Sequence, residues 1–544
     1  MQWDEHLRQL SDKIAWREVG LVSALVLIAF SIRMIGIDQS SLWLDEGFSL
    51  WFSRQSFADL LGPIARNEYN PTLYYVLLKF WTGVFGASVT ALRSLSAVIN
   101  TLTLPFVYLT ARWAIVGKQG RLIAIVSAVL FALAFEEMHF AQEARTYSLS
   151  VLAIAVAAAA SVRIIHLNLA VSPDAERIAL WPFVLLAVGL GIALWSHYTT
   201  LIPVVIIGGF HAGLLICRWR VHPVLLQRYG ITLAVFLLLA GRSIWVFIAY
   251  ALPASDEFWI GVPSVFDLID SASLIFGGAL LLESWNLDIL LRLIIFGPWP
   301  VIGAFVAWRQ GDAAARTVVM FLRFFCIGTY CAFVAVTLFG KPVLMQRGVL
   351  PVQVGWIELC AMSILLFTDQ TRRWLMSGVL VGVFALSAGR YLADIPGAAP
   401  KEPWREAAAL IARTASANET VHVTAAGGTL ITYYLQREGR SDLVVRSVNG
   451  PMRLPDPRPA FSTDAIKYSA ALTPSMMEAF VEELSKGEPG WMVLRAPNTA
   501  IPQDVRRVSA PFEGERVILQ PGPLGVYRIN STSHIALEDP EGTR

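Results

Sequence analysis

The chain has 544 residues, of which 55% are hydrophobic and only 15% charged, with 18 Trp and a formal net charge of +2. Soluble domains carry nearer a quarter charged residues, so apolar residues at this density, gathered into runs, mean an integral membrane protein. A charge this near neutral implies no nucleic-acid partner.

The opening "MQWDEHLRQLSDKIAWREVG" is mixed in charge and predicts an amphipathic surface helix. It lacks the basic start and small-residue cleavage site of a signal peptide, so the first apolar run is expected to be retained. Runs of roughly 20 residues, the length a bilayer core demands, then recur. They predict about eleven spans, near 19–37, 92–113, 121–138, 146–165, 180–196, 199–217, 229–250, 288–308, 317–339, 347–367 and 374–392. Cys217, Cys326, Cys331 and Cys360 all fall in apolar runs, as small core residues rather than a disulfide framework.

Orientation follows from the basic loops. Those with Arg112, Lys118 and Arg121, with Arg218, Arg220 and Arg228, with Arg309 and Arg316, and with Arg372 and Arg373 alternate onto one side with the amino terminus. The positive-inside rule makes that side cytoplasmic. "NPTLYYVLLKFWTGVFG" (Asn70–Gly86) has Lys79 in its middle and predicts an interfacial helix on the outer face rather than a span. "VFDLIDSASLIFGGALLL", from Val265, predicts a second such element.

Past residue 393 the composition turns ordinary. "KEPWREAAALIARTA" predicts a helix, "ETVHVTA" a strand, "PSMMEAFVEELSKG" a helix and "GWMVLRA" a strand. The expected fold class is an all-α polytopic membrane domain over 1–393, followed by a small extracytoplasmic α/β domain over 394–544.

With this topology the outer loops collect an unusual polar set. The first holds Asp45 and Glu46 in "SSLWLDEGFSL", then Glu68 and Asn70. The second, "FEEMHFAQEARTY", contains Glu136, Glu137, His139, Gln142, Glu143, Arg145 and Tyr147. His197 and Tyr198 follow, then Asp256 and Glu257, and finally Lys341, Gln346 and Arg347 in "KPVLMQR". Polar groups beside hydrocarbon are costly and tend to face a cavity, partner or substrate. Moving a sugar from a phosphate leaving group needs a carboxylate to take the acceptor's proton and cations to hold the departing phosphate. Asp45 fits the first role, and Arg145 and Arg347 the second.

The motifs "LWLDEGFSL", "NPTLYYVLLKFW", "LRSLSAV", "AQEARTYSL" and "QRGVLP", in that order, resemble polytopic membrane glycosyltransferases of the C-type fold. The nearest branch is the protein-mannosyltransferase-like one (glycosyltransferase family 39), with related bacterial lipid-phosphate-sugar transferases. The resemblance covers roughly residues 20–200 well and 340–410 loosely. It implies a polyprenyl-phosphate sugar donor and a lipid, polysaccharide or protein acceptor on the extracytoplasmic face of the bacterial inner (plasma) membrane. By position, Asp45 matches the family's catalytic base and Glu46 its neighbour. Glu143, Arg145 and Tyr147 match the second-loop motif, and Arg347 the arginine before a late "LP". Asn70 and Thr72 stand where relatives have His and Pro, and a Tyr is missing after Arg347, which leaves the acceptor and the sugar contacts unassigned. Arg93, His197 and Tyr198 join the substrate-binding set. Some relatives use a divalent ion and others none. Asp45, Glu143 and His197 have suitable donor atoms, but no spacing demands a metal.

Each residue also has a structural reading. Acids favour a helix's first turn, Glu143 and Arg145 could pair with each other, Glu136 and Glu137 suit a rim, and Arg93 and Arg347 could anchor at an interface. A transporter or flippase for a lipid-linked sugar would bind a similar ligand, but usually puts its polar groups near the midplane of repeated halves.

Overall fold

A computed structural model describes residues 16–62, 64–65, 70–170, 178–220, 223–252, 262–282, 284–397, 401–424, 427–448, 490–495, 517–518 and 524–529. The expected amino-terminal surface helix before residue 16, Glu68, Asp256, Glu257 and the "PSMMEAFVEELSKG" helix lie outside the described residues.

Among the described residues, eight helices are long and apolar enough to cross a bilayer: Val89–Ala114, Tyr147–Leu167, Tyr198–Arg218, Val224–Ala251, Trp285–Gln310, Ala313–Phe339, Gln346–Leu366 and Gln370–Asp394. Gly117–Leu133 and Phe135–Ala141 make a ninth if taken as one span bent by 53°. The remaining two expected spans are helical as well. Trp16–Met34 carries Arg17, Glu18 and Arg33, and Trp181–Ser196 has 16 residues. At 1.5 Å per residue the latter covers about 24 Å of a roughly 30 Å hydrocarbon core. Leu73–Phe85, with 13 residues, is shorter still. The chain is an integral membrane protein.

Lipid gives helices no hydrophobic reason to associate, so close backbone approach between small residues has to hold them. A Cβ on Gly189 would stand 2.8 Å from the Ala153 carbonyl oxygen. One on Gly303 would stand 1.7 Å from that of Leu359. At one end of the bundle Glu18 pairs with Arg112 at 3.5 Å and with Arg121, which puts that basic loop on the amino-terminal side.

The chain forms two compact units, 1–37 with 69–396 and 38–68 with 397–544. The first outer loop therefore folds with the carboxy-terminal domain, which the expected boundary at 393 did not foresee. Among the described residues, that domain has one five-stranded mixed sheet. Thr420–Thr424 (β1) is parallel to Val444–Val448 (β2) and to Gly490–Arg495 (β3). Leu524–Ile529 (β5) is antiparallel to β3 and to Val517–Ile518 (β4). Alternation buries Val421 and Val423 on one face of β1. Helix Trp404–Thr414 buries Trp404 completely, and a Cβ on Gly427 would stand 2.3 Å from that indole.

Candidate active site

In the membrane unit, four expected site residues gather around one ring. Tyr147 opens the span Tyr147–Leu167 and is 2% exposed. The Arg145 guanidinium carbon lies 6.0 Å from its ring centroid and that of Arg347 5.6 Å. The His197 ring is centred 6.1 Å away. These are cation–π distances, and they bring two guanidinium groups to one aromatic ring.

Hydrogen bonds between helix ends hold that geometry. The Thr146 hydroxyl donates to the Ser196 carbonyl at 2.7 Å, and the Ser150 and Ser196 hydroxyls pair at 2.9 Å. The Ser96 hydroxyl donates to the Arg145 carbonyl at 3.2 Å and pairs with the Tyr74 hydroxyl at 2.7 Å. The "LYY" helix thus supports the "QEARTY" loop. His197 ends Trp181–Ser196, and its Nδ1 accepts from the Thr199 amide at 3.2 Å. A Cβ on Gly348 would meet Thr199 Oγ1 at 3.6 Å, so the Arg347 turn lies against the His197 turn. Protein packed around the His197 ring, then the Arg145 and Arg347 cations, push its imidazole down to about 3. It is neutral at physiological pH.

Gln346, beside Arg347, is tied to a buried ionic cluster that hydropathy reading missed. Its side-chain amide donates to Asp270 at 3.1 Å. Asp270 pairs with Arg292 at 3.3 Å, and Arg292 also pairs with Asp288. Asp288 accepts the Leu280 amide at 3.1 Å.

The other expected residues do different work in the fold. Glu143 makes an i,i+4 contact with His139 at 3.7 Å. Buried Arg93 donates to the Ile37 carbonyl at 2.8 Å and fixes the exit of the first helix. The Tyr198 ring packs on Phe247 at 5.2 Å. Asn70 is half-buried just before Leu73–Phe85.

Glu136 and Glu137 are not rim residues. The bend at Ala134 turns both into the protein, where they are 4% and 0% exposed. Glu137 accepts from the Asn100 amide at 2.6 Å, and Asn100 accepts from Arg33 at 2.7 Å. Asn100 thus bridges the two buried ionisable groups inside the protein.

In the second unit, helix Leu44–Arg54 separates the adjacent acids. Glu46 is fully buried and accepts the Trp43 amide at 3.2 Å, a helix-capping contact. Asp45 is half-buried. Among the described residues no group of three or more His, Cys, Asp or Glu side chains is placed to hold a metal ion.

No protein-family model matches the chain, and no curated protein matches it by sequence. Among solved structures it is similar to ArnT from Cupriavidus metallidurans in the apo state. That likeness covers 95% of this chain and 99% of that chain at 12% identity, with a TM-score of 0.59. ArnT from the same organism bound to undecaprenyl phosphate is similar over 94% and 98%, again at 12% identity, with a TM-score of 0.55. Coverage of both chains nearly end to end establishes the architecture: this is a C-type glycosyltransferase fold.

Proposed function

We propose that the protein is a membrane glycosyltransferase. It moves a sugar from a polyprenyl-phosphate donor to a hydroxyl of a lipid, glycan or protein acceptor on the extracytoplasmic face. The observation that carries this reading is the pair of arginines on Tyr147, with a neutral His197 beside them. Such a site suits a phosphate monoanion or dianion, and each charge-assisted hydrogen bond to it is worth about 1.5–3 kcal/mol. The fold shared with ArnT, which has been crystallised with undecaprenyl phosphate, supports a polyprenyl phosphate as the group bound there.

The chemistry is a single displacement. The Asp45 carboxylate takes the proton of the acceptor hydroxyl. The hydroxyl oxygen forms a bond to the anomeric carbon from the face opposite the leaving group. The bond from that carbon to the phosphate oxygen breaks, and its electron pair leaves with polyprenyl phosphate. Arg145 and Arg347 stabilise the charge that grows on that oxygen. The products are polyprenyl phosphate and a glycosylated acceptor with inverted anomeric configuration.

The test is purified protein incubated with a radiolabelled polyprenyl-phosphate sugar and an envelope extract as acceptor source. Label moving from donor to acceptor, with stoichiometric polyprenyl phosphate formed, is the expected result. Donor that crosses proteoliposome membranes without release of polyprenyl phosphate would instead identify a flippase.

A further inference from the structure

We infer that the carboxy-terminal domain is the mount for the Asp45 helix, and that Glu402 is its positioning residue. The inference rests on Asp45 being the base.

A helix start leaves its first amides without intrahelical acceptors. Leu44–Arg54 begins after Trp43, whose indole has no acceptor atom to offer. The acceptor comes from 358 residues away in the chain: Glu402 Oε2 takes the Leu44 amide at 2.8 Å. The same oxygen accepts the Trp404 indole N–H at 2.7 Å, and Glu402 is 4% exposed. A buried carboxylate is thus held by a fully buried tryptophan and aimed at the residue immediately before Asp45.

The backbone leading to the helix is gripped in the same way. The Leu42 amide donates to the Tyr434 hydroxyl at 2.7 Å, and the Ser41 hydroxyl donates to the Glu402 carbonyl. Arg405 donates to the carbonyls of Asp38 at 2.8 Å and Gln39 at 3.2 Å. Lys401 stands 4.6 Å from the Trp43 ring centroid. One turn further on, a Cβ on Gly47 would stand 2.8 Å from Leu430 Cγ, so the helix lies directly on Gly427–Arg437. These contacts fix the backbone of residues 38–47 and leave the Asp45 side chain half-buried. A base displaced by about 1 Å can lose a hundredfold in rate, so the anchor acts on turnover rather than on donor binding.

The experiment compares full-length wild type, Glu402→Ala, Glu402→Gln, Tyr434→Phe and Asp45→Asn by steady-state transfer from a labelled polyprenyl-phosphate sugar. Glu402→Ala is expected to lower kcat tenfold to a hundredfold with donor KM within twofold. Glu402→Gln, whose amide oxygen still accepts the Leu44 amide, is expected to recover most of kcat. Tyr434→Phe, which keeps the ring and loses one acceptor, is expected to lower kcat severalfold at unchanged KM. It supplies the test if Glu402→Ala does not fold. Wild-type kcat in both Glu402→Ala and Tyr434→Phe, with Asp45→Asn inactive, would overturn the mount alone. A loss of activity in Glu402→Ala that Glu402→Gln fails to restore would also overturn it. Wild-type turnover by Asp45→Asn would instead overturn the assignment of the base.

Discussion

Arg145 and Arg347, which are 202 positions apart in sequence, stand at 6.0 and 5.6 Å from the same Tyr147 ring. Two cations at one ring repel each other, and the ring quadrupole offsets part of that repulsion. Under the proposed function, a donor phosphate would offset more of it.

Arg347→Gln keeps a hydrogen-bond donor but removes the charge. At about 1.5–3 kcal/mol for a bond to a charged group, donor KM should rise roughly tenfold to a hundredfold. Steady-state kinetics with varied donor checks this, and Arg145→Gln should behave alike.

Tyr147→Phe keeps the ring face that both guanidinium groups use, so its donor KM should stay within about twofold of wild type. Tyr147→Ala removes a cation–π platform worth about 0.5–2 kcal/mol and should raise donor KM by up to about thirtyfold. A large effect in Tyr147→Phe would mean that the hydroxyl, not the ring, does the work.

His197 carries a pH prediction. Its imidazole titrates near 3 in the folded protein against 6.5 unperturbed, so between those values the unfolded chain binds a proton that the folded one does not. Stability then falls as pH drops from about 7 towards 3. His197→Gln removes this contribution, and its loss of melting temperature between pH 7.5 and pH 5 should be smaller than that of wild type.

Gly303→Ala tests how tightly the bundle is packed. The new methyl would meet backbone, the Leu359 carbonyl oxygen at 1.7 Å, so the helices must move apart. Overpacking of this kind costs about 1–3 kcal/mol or more. Gly208→Ala is the control, because nothing lies within 4 Å of a Cβ there. Melting in detergent should drop for Gly303→Ala and hold for Gly208→Ala.

Much of this was legible in the sequence. Arg145, Tyr147, His197 and Arg347 all sit at or beside the ends of apolar helices, which hydropathy locates, so their meeting on one face could be foreseen. The bend at Ala134 could not, because no proline or glycine marks it, and it turns Glu136 and Glu137 from rim into interior. Glu46 and Arg93 read as ligand residues, and the fold also engages Glu46 in a helix cap and Arg93 with a backbone carbonyl. The Glu46 contact is local, three residues along the chain, but the Arg93 partner arises from packing that no local pattern encodes. The same is true of Glu402, in an expected amphipathic helix, and of the cluster that joins Asp270, in the expected interfacial element, to Asp288 and Arg292 at the start of an expected span. All eleven expected spans are helical, although charge in Trp16–Met34 and shortness in Trp181–Ser196 set those two apart from the long apolar helices.

The most direct test of the central claim is transfer by Asp45→Asn in proteoliposomes with a radiolabelled polyprenyl-phosphate sugar. Asparagine is nearly isosteric but cannot take the acceptor's proton. The account predicts donor binding within about twofold of wild type and transfer reduced by about a hundredfold or more, the scale of general-base catalysis. Transfer at the wild-type rate would contradict it.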